Sequence, residues 1–334
     1  MAGALGNRRR MIASALVIFA GLAMLAEPAA AQRRTPAAPA PAQPSPSAKA
    51  AAAAMAAVEP ADRTIYLVKQ SAADPSVQVF NEPNYITFNG GAGPTADLLV
   101  FLGGPSSKPE AHATLLNVAA AGGYRVIGLQ HNDTPATVAA CASNPDLDCS
   151  AKFRQKRAFG DNVTTLVDNT PAQAIVPRLI KLLQYLDQKH PGEGWGGYLS
   201  GGEPNWGRIV LAGHSQGAGM AAFIAKQKAV ARVVLFSGPW DFYASTRKSA
   251  QWLTEAGATP PDRWFATYHR REDTAAQIVQ AYSALGIPEA NLRPVNLDLQ
   301  SGARPTPGLN QFHTSPVANT NYLPEWQFLF GRSR

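Results

Sequence analysis

The chain reads as an α/β protein with a mostly parallel central sheet and helices on both of its faces. Three observations point there. Asp97–Leu102 and Tyr124–Leu129 are apolar runs without alternation, the pattern of strands buried on both sides. Segments of helical character separate such runs, as connections between parallel strands require. Finally, Arg208–Leu211 is a β-branched strand leading into Gly213-His214-Ser215-Gln216-Gly217, and a small-residue helical stretch follows through Lys226.

Taken in order, Thr64–Val68, Val77–Phe80 and Tyr85–Phe88 read as early strands. Asp97–Leu102 ends at Gly103-Gly104-Pro105, and a helix is expected from Glu110 to Ala121 before Tyr124–Leu129. Pro171–His190 carries Ile175, Val176, Leu179, Ile180, Leu182, Leu183 and Leu186 at helical spacing, and Pro191-Gly192 stops it. Arg232–Phe236 is the strand after the Ser215 segment. Trp264–His269 is another, with a helix then running to Leu285. Leu292–Leu297 reads as a last strand, and Pro294 places it at an edge. Asn321–Leu329 closes the chain as a helix.

Residues 1–31 have the form of a signal peptide: Arg8-Arg9-Arg10, an apolar stretch from Met11 to Ala26, then Ala29-Ala30-Ala31 before Gln32. The apolar stretch is short for a membrane span, which needs about 20 residues, so no stable span is expected after cleavage. The arginines also fit a twin-arginine signal loosely. Residues 32–60 are nearly all Ala, Pro, Gln and Ser. Such a composition cannot bury enough apolar surface to offset ordering entropy, and it reads as a disordered linker. Residues 61–334 then read as the single folded domain of a periplasmic or secreted protein.

The formal charge of +7 becomes +5 once Arg8, Arg9, Arg10 and Glu27 of the leader are set aside. The remaining basic residues are scattered, so nucleic-acid binding is not indicated. Cys141 and Cys149 are the only cysteines. Export and their closeness predict a disulfide between them. No His, Asp or Glu set has metal-ligand spacing, and no glycine pattern supports a dinucleotide site. No metal or other cofactor is expected.

The Ser215 segment has the context of a nucleophile elbow, a tight strand-to-helix turn that lifts a serine hydroxyl clear of the sheet. Gly213 and Gly217 then occupy its crowded flanks. A serine needs an imidazole to take its proton and a carboxylate to fix that imidazole's tautomer. With the chain order Ser, acid, His, only His269 and His313 remain as bases. His269 sits at the tip of a strand, whereas His313 lies in a loop beyond the last one, so His313 is the favoured base. For the acid, Asp273 is favoured and Asp241 is the main alternative, with Glu272 and Asp298 behind them. The oxyanion donors expected are the N–H groups of Gln216 and Gly104, with Gly103 or Ser106 as alternatives to the second. His131-Asn132-Asp133 is a polar turn that could line the pocket.

Together, Gly213–Gly217, Gly103-Gly104-Pro105 and His313 resemble the α/β-hydrolase superfamily, in its secreted bacterial esterase- and lipase-like branch, over about Ala61–Phe330. Many members carry His-Gly-Gly where this chain has Leu102-Gly103-Gly104. The resemblance implies an α/β-hydrolase fold and hydrolysis of a small-molecule, lipid or polyester ester through an acyl-enzyme. The superfamily also contains members that merely bind, so the alternative is a non-catalytic envelope protein holding a ligand or partner. The stretch from Gln130 to Asn169 is expected to form a pocket wall or lid.

Overall fold

Two-sided burial organises the central sheet of the computed structural model, which describes residues 62–299 and 310–333. In β3 (Leu98–Leu102), Leu98, Val100 and Leu102 enter one apolar core while Leu99 and Phe101 enter the other. β5 (Ile209–His214) divides in the same way, sending Ile209 and Leu211 to the first core and Val210 and Ala212 to the second. So does β6 (Arg232–Phe236), with Val233 and Leu235 opposed to Val234 and Phe236. Both faces are dry, which is why these strands read as unbroken apolar runs. Each fully buried side chain of this size contributes about 1.5–3 kcal/mol on leaving water.

The other strands of this sheet are β1 (Arg63–Val68), β2 (Asn84–Asn89), β4 (Arg125–Leu129) and β7 (Trp264–Thr267). The order is β1-β2-β4-β3-β5-β6-β7. Pairing is antiparallel for β1 with β2 and for β2 with β4, and parallel across the rest. One face is covered by α3 (Cys149–Phe159), α4 (Ile175–Lys189), α5 (Gln216–Gln227) and α6 (Ala275–Ala284). The other is covered by α1 (Ala113–Ala121) and α7 (Leu323–Phe330), where Trp326 is fully buried. This is the architecture that the α/β-hydrolase resemblance implies.

Local chemistry accounts for the departures from expectation. Val77–Phe80 is not a strand: the Val77 N–H turns back onto the carbonyl of Asp74, and the chain runs irregularly to β2. Leu292–Leu297 reduces to two isolated parallel bridges, Leu292 with Ala266 and Val295 with His269, on either side of Pro294, which has no N–H to offer. The helix expected from Pro171 is split. Pro171–Gln173 forms a 3₁₀ turn, extended Ala174 interrupts it, and α4 begins at Ile175. Likewise a 3₁₀ turn over Pro109–His112 precedes α1.

The Gln130–Asn169 stretch folds as α2 (Thr137–Cys141) followed by α3, and a disulfide joins Cys141 to Cys149. No helix among the described residues is long and apolar enough to cross a membrane. The expected leader and linker lie outside the described residues.

Candidate active site

The parallel strands β5, β6 and β7 bring their carboxyl ends to one edge of the sheet, and the polar constellation gathers there. Ser215 stands between β5 and α5 with φ 58° and ψ −122°, a conformation that side chains rarely adopt and that persists only where surroundings enforce it. Its N–H donates to the carbonyl of Phe236 at 2.9 Å, and its carbonyl accepts from Gly219 at 3.2 Å. The flanking glycines answer to space rather than to dihedral angle. A Cβ on Gly213 would overlap the backbone of Gly217, and one on Gly217 would overlap the carbonyls of Leu102 and Gly103. Gly104 is less tightly confined, though its Cβ would still sit 3.1 Å from the Ser215 Cβ. Strand end β3, the Gly103-Gly104 turn and the elbow are thereby pressed into contact.

Gln216 is the first residue of α5, so its N–H has no intrahelical acceptor. Its side chain ties the elbow to α2, accepting from the Thr137 N–H and donating to the Thr137 hydroxyl, both at 3.1 Å. The Ser106 N–H points elsewhere, donating to Asp133 Oδ1 at 3.1 Å. Of the candidates for the second donor, that removes Ser106.

His313 is 1% exposed. Its Nδ1 lies 2.7 Å from Glu272 Oε2, and its buried Nε2 has no hydrogen-bond partner. His214, inside the elbow itself, holds the loop that carries this imidazole: His214 Nε2 is 2.9 Å from the carbonyl of His313, and the two ring centroids are 4.9 Å apart. The half-buried Trp240 meets His313 edge-on at 5.1 Å.

The carboxylate facing His313 is therefore Glu272, in place of the expected Asp273 or Asp241. Glu272 is buried, and its Oε1 accepts from the Ser237 hydroxyl and the His269 N–H, both at 2.6 Å. Asp273 points outward and accepts from Asn310 at 3.0 Å. Asp241 is spent on Arg154, whose Nε and Nη2 donate to its two oxygens, and it also accepts from the Trp252 indole at 2.9 Å. Asp298, 94% exposed, pairs with Arg271. The physical reason lies at the end of β7. The strand stops at Thr267 rather than His269, and a tight turn follows in which the Glu272 N–H donates to the His269 carbonyl. Glu272 faces inward and its neighbour outward.

Burial dominates the electrostatics. It lowers His313 to about 4 and His214 to about 3, the latter assisted by the neighbouring His313. It pushes the Glu272 carboxyl up to about 7, opposed by the hydrogen bonds from Ser237 and His269. A neutral imidazole with a free Nε2 can take a proton. Its other nitrogen, held by a carboxylate that accepts two further hydrogen bonds, has a fixed tautomer.

A cavity of about 20 Å³ opens on Ser215 and Gln216 and is lined also by Ala136, Val138, Arg154, Pro239, Trp240 and Asp241. A separate cleft of about 500 Å³ is lined by Phe80, Ser106, Ser107, Lys108, Asp133 and Thr134 among others, and not by Ser215. His131, Asn132 and Asp133 are all buried, and only Asp133 of the three lines that cleft. No group of three or more metal-binding side chains is present among the described residues.

No protein-family profile matches the chain, and no curated protein matches it. Among solved structures it is similar to a bacterial heroin esterase, with 11% identity, a TM-score of 0.45 and coverage of 84% of this chain and 88% of that one. It is also similar to esterase B from Lactobacillus rhamnosis, solved with a tributyrin phosphonate inhibitor, at 12% identity and a TM-score of 0.42, covering 74% and 79%. A thermostable esterase from Pseudomonas putida shows 13% identity and a TM-score of 0.41, covering 85% and 86%.

Proposed function

We propose that the protein is an exported serine hydrolase that cleaves a carboxylic ester through an acyl-enzyme, with Ser215 as nucleophile, His313 as base and Glu272 as the carboxylate that orients it. The observation that carries this reading is the state of His313. One nitrogen is engaged by Glu272 and the other is buried with no hydrogen bond, while His214, next to Ser215, grips its backbone. Buried polar atoms are ordinarily hydrogen-bonded. Among the described residues the buried imidazole nitrogens without a partner are His131 Nε2 and His313 Nε2. Of these two rings only His313 faces a buried carboxylate and is gripped by a neighbour of Ser215, while His131 Nδ1 meets only the Leu129 carbonyl.

In the reaction, the Ser215 oxygen attacks the ester carbonyl as His313 Nε2 takes its proton. The N–H groups of Gln216 and Gly104 stabilise the oxyanion. His313 then gives the proton to the departing alcohol, leaving an acyl group on Ser215. Water, activated by the same imidazole, releases the acid. Throughout, Glu272 stabilises the imidazolium, and Ser237 and the His269 N–H hold Glu272 in place. The reading of residues 1–31 as a leader supports export, as does the disulfide, which persists in oxidising compartments.

The test is turnover of p-nitrophenyl acetate by the purified mature protein. Ser215→Ala and His313→Ala should each lower kcat by about 10⁴-fold or more while retaining the fold. Equal turnover by wild type and Ser215→Ala would defeat the proposal.

A further inference from the structure

The space that opens on Ser215 is small. At about 20 Å³, the cavity at the nucleophile offers the room of one or two waters, hence of one methyl group. Its walls are held from behind. Trp240 is braced edge-on against His313, and the floor is the buried Arg154–Asp241 pair. Val138 projects from α2, and Cys141, one turn further along, is bonded to Cys149 of α3. Behind Val138 and Asp241 lies a second void of about 10 Å³, reached by Cys141, Ser150 and Phe242. Val138 and Asp241 line both voids and so form the partition.

We infer that the substrate is an ester of a two-carbon acyl group, and that Val138 sets the acyl limit. This rests on the serine-hydrolase reading and deepens it. An acetyl methyl fills the small cavity. Each added methylene must displace Val138, Trp240 or the ion pair, and close-packed walls resist that.

The chemistry balances without a co-reactant other than water. The Ser215 oxygen bonds to the acetyl carbon as the ester C–O bond breaks, and the serine proton passes through His313 to the alcohol. Water then adds to the acetyl carbon as His313 takes its proton, the bond between that carbon and the Ser215 oxygen breaks as His313 returns the proton to that oxygen, and acetate and the free serine are released.

The test measures kcat/KM for p-nitrophenyl acetate, butyrate, hexanoate and octanoate with wild type and Val138→Ala, alongside fluorophosphonate labelling of both. Wild type is expected to favour acetate over octanoate by at least about 100-fold, in line with the discrimination that steric pockets achieve. Val138→Ala, by joining the two voids, should raise the butyrate-to-acetate ratio about tenfold. Labelling at Ser215 together with octanoate turnover equal to acetate would overturn the acyl proposal alone. So would an unchanged ratio in a folded Val138→Ala. If that variant does not fold, the wild-type series still decides. A protein that neither labels nor turns over any ester would contradict the serine-hydrolase reading itself, and the acyl proposal would fall with it.

Discussion

His313 Nδ1 and Glu272 Oε2 lie 2.7 Å apart across a separation of 41 residues, both side chains buried. The contact joins the turn after β7 to the loop before the C-terminal helix. It also assigns three adjacent or competing carboxylates to different duties, which substitutions can separate.

Glu272→Gln keeps the shape of the side chain but allows the wrong imidazole tautomer, so kcat should fall by about 10⁴-fold with little change in melting temperature. Asp273→Asn, altering only an exposed contact with Asn310, should stay within a fewfold of wild type. Equal losses in the two variants would contradict the assignment of Glu272.

Asp241→Asn should act through stability instead. It leaves Arg154 buried beside a neutral partner, and breaking a buried pair in this way costs about 3–5 kcal/mol. The expected result is a lowered denaturation midpoint. A stable variant with kcat reduced by orders of magnitude would return Asp241 to the catalytic set.

His214→Phe removes the hydrogen bond that fixes the His313 carbonyl while keeping an aromatic ring in place. Displacement of a catalytic group by about 1 Å costs about 10²-fold, so kcat should fall by about that factor with KM nearly unchanged. A change confined to KM would show that His214 serves binding rather than positioning.

Stability should fall as the solution is acidified. Burial lowers His112, His131 and His214 to about 3 and His313 to about 4, and it lowers His269 as well. Below about pH 6.5 the unfolded chain therefore binds protons at these five histidines that the native chain resists, and stability present above that pH is lost as pH falls. Glu272, raised to about 7, works in the opposite sense between pH 7 and 4.5, because there the native state holds the extra proton. Asp133, also raised by burial, opposes the histidines toward the acidic end. The histidines outnumber these carboxyl groups and prevail, so stability falls between pH 6 and 5. Denaturation midpoints measured across that range test the sign, and a midpoint that rises on acidification would refute it.

Removing the Cys141–Cys149 bond, which closes a short loop, should cost about 2–3 kcal/mol by loop-closure entropy. Paired Cys141→Ser and Cys149→Ser substitutions, followed by denaturant titration, measure it. A loss well beyond that range would mean that α2 and α3 depend on the bond for their packing.

What the sequence disclosed follows physical lines. β3, β5 and β6 were legible because burial on both faces leaves continuous apolar runs. The Ser215 turn was legible because its determinants are local: a strand, two glycines without room for a Cβ, and a small-residue helix. Long-range partners were not. Arg154, which occupies Asp241, is 87 residues away from it. The choice between Glu272 and Asp273 depends on where β7 stops, since adjacent residues in the following turn face opposite ways. Nothing in the composition of Trp264–His269 marks Thr267 as its last strand residue. Val77–Phe80 alternates as a strand should, yet the turn from Asp74 to Val77 withdraws its backbone from the sheet.

The most direct measurement is stoichiometric labelling of the native mature protein with a fluorophosphonate, the modified residue being located by peptide mass spectrometry. The account expects one equivalent on Ser215, lost on denaturation and in Ser215→Ala, and strongly slowed in His313→Ala. Native, folded protein in which Ser215 stays unlabelled, or reacts no faster than other serines, would contradict it.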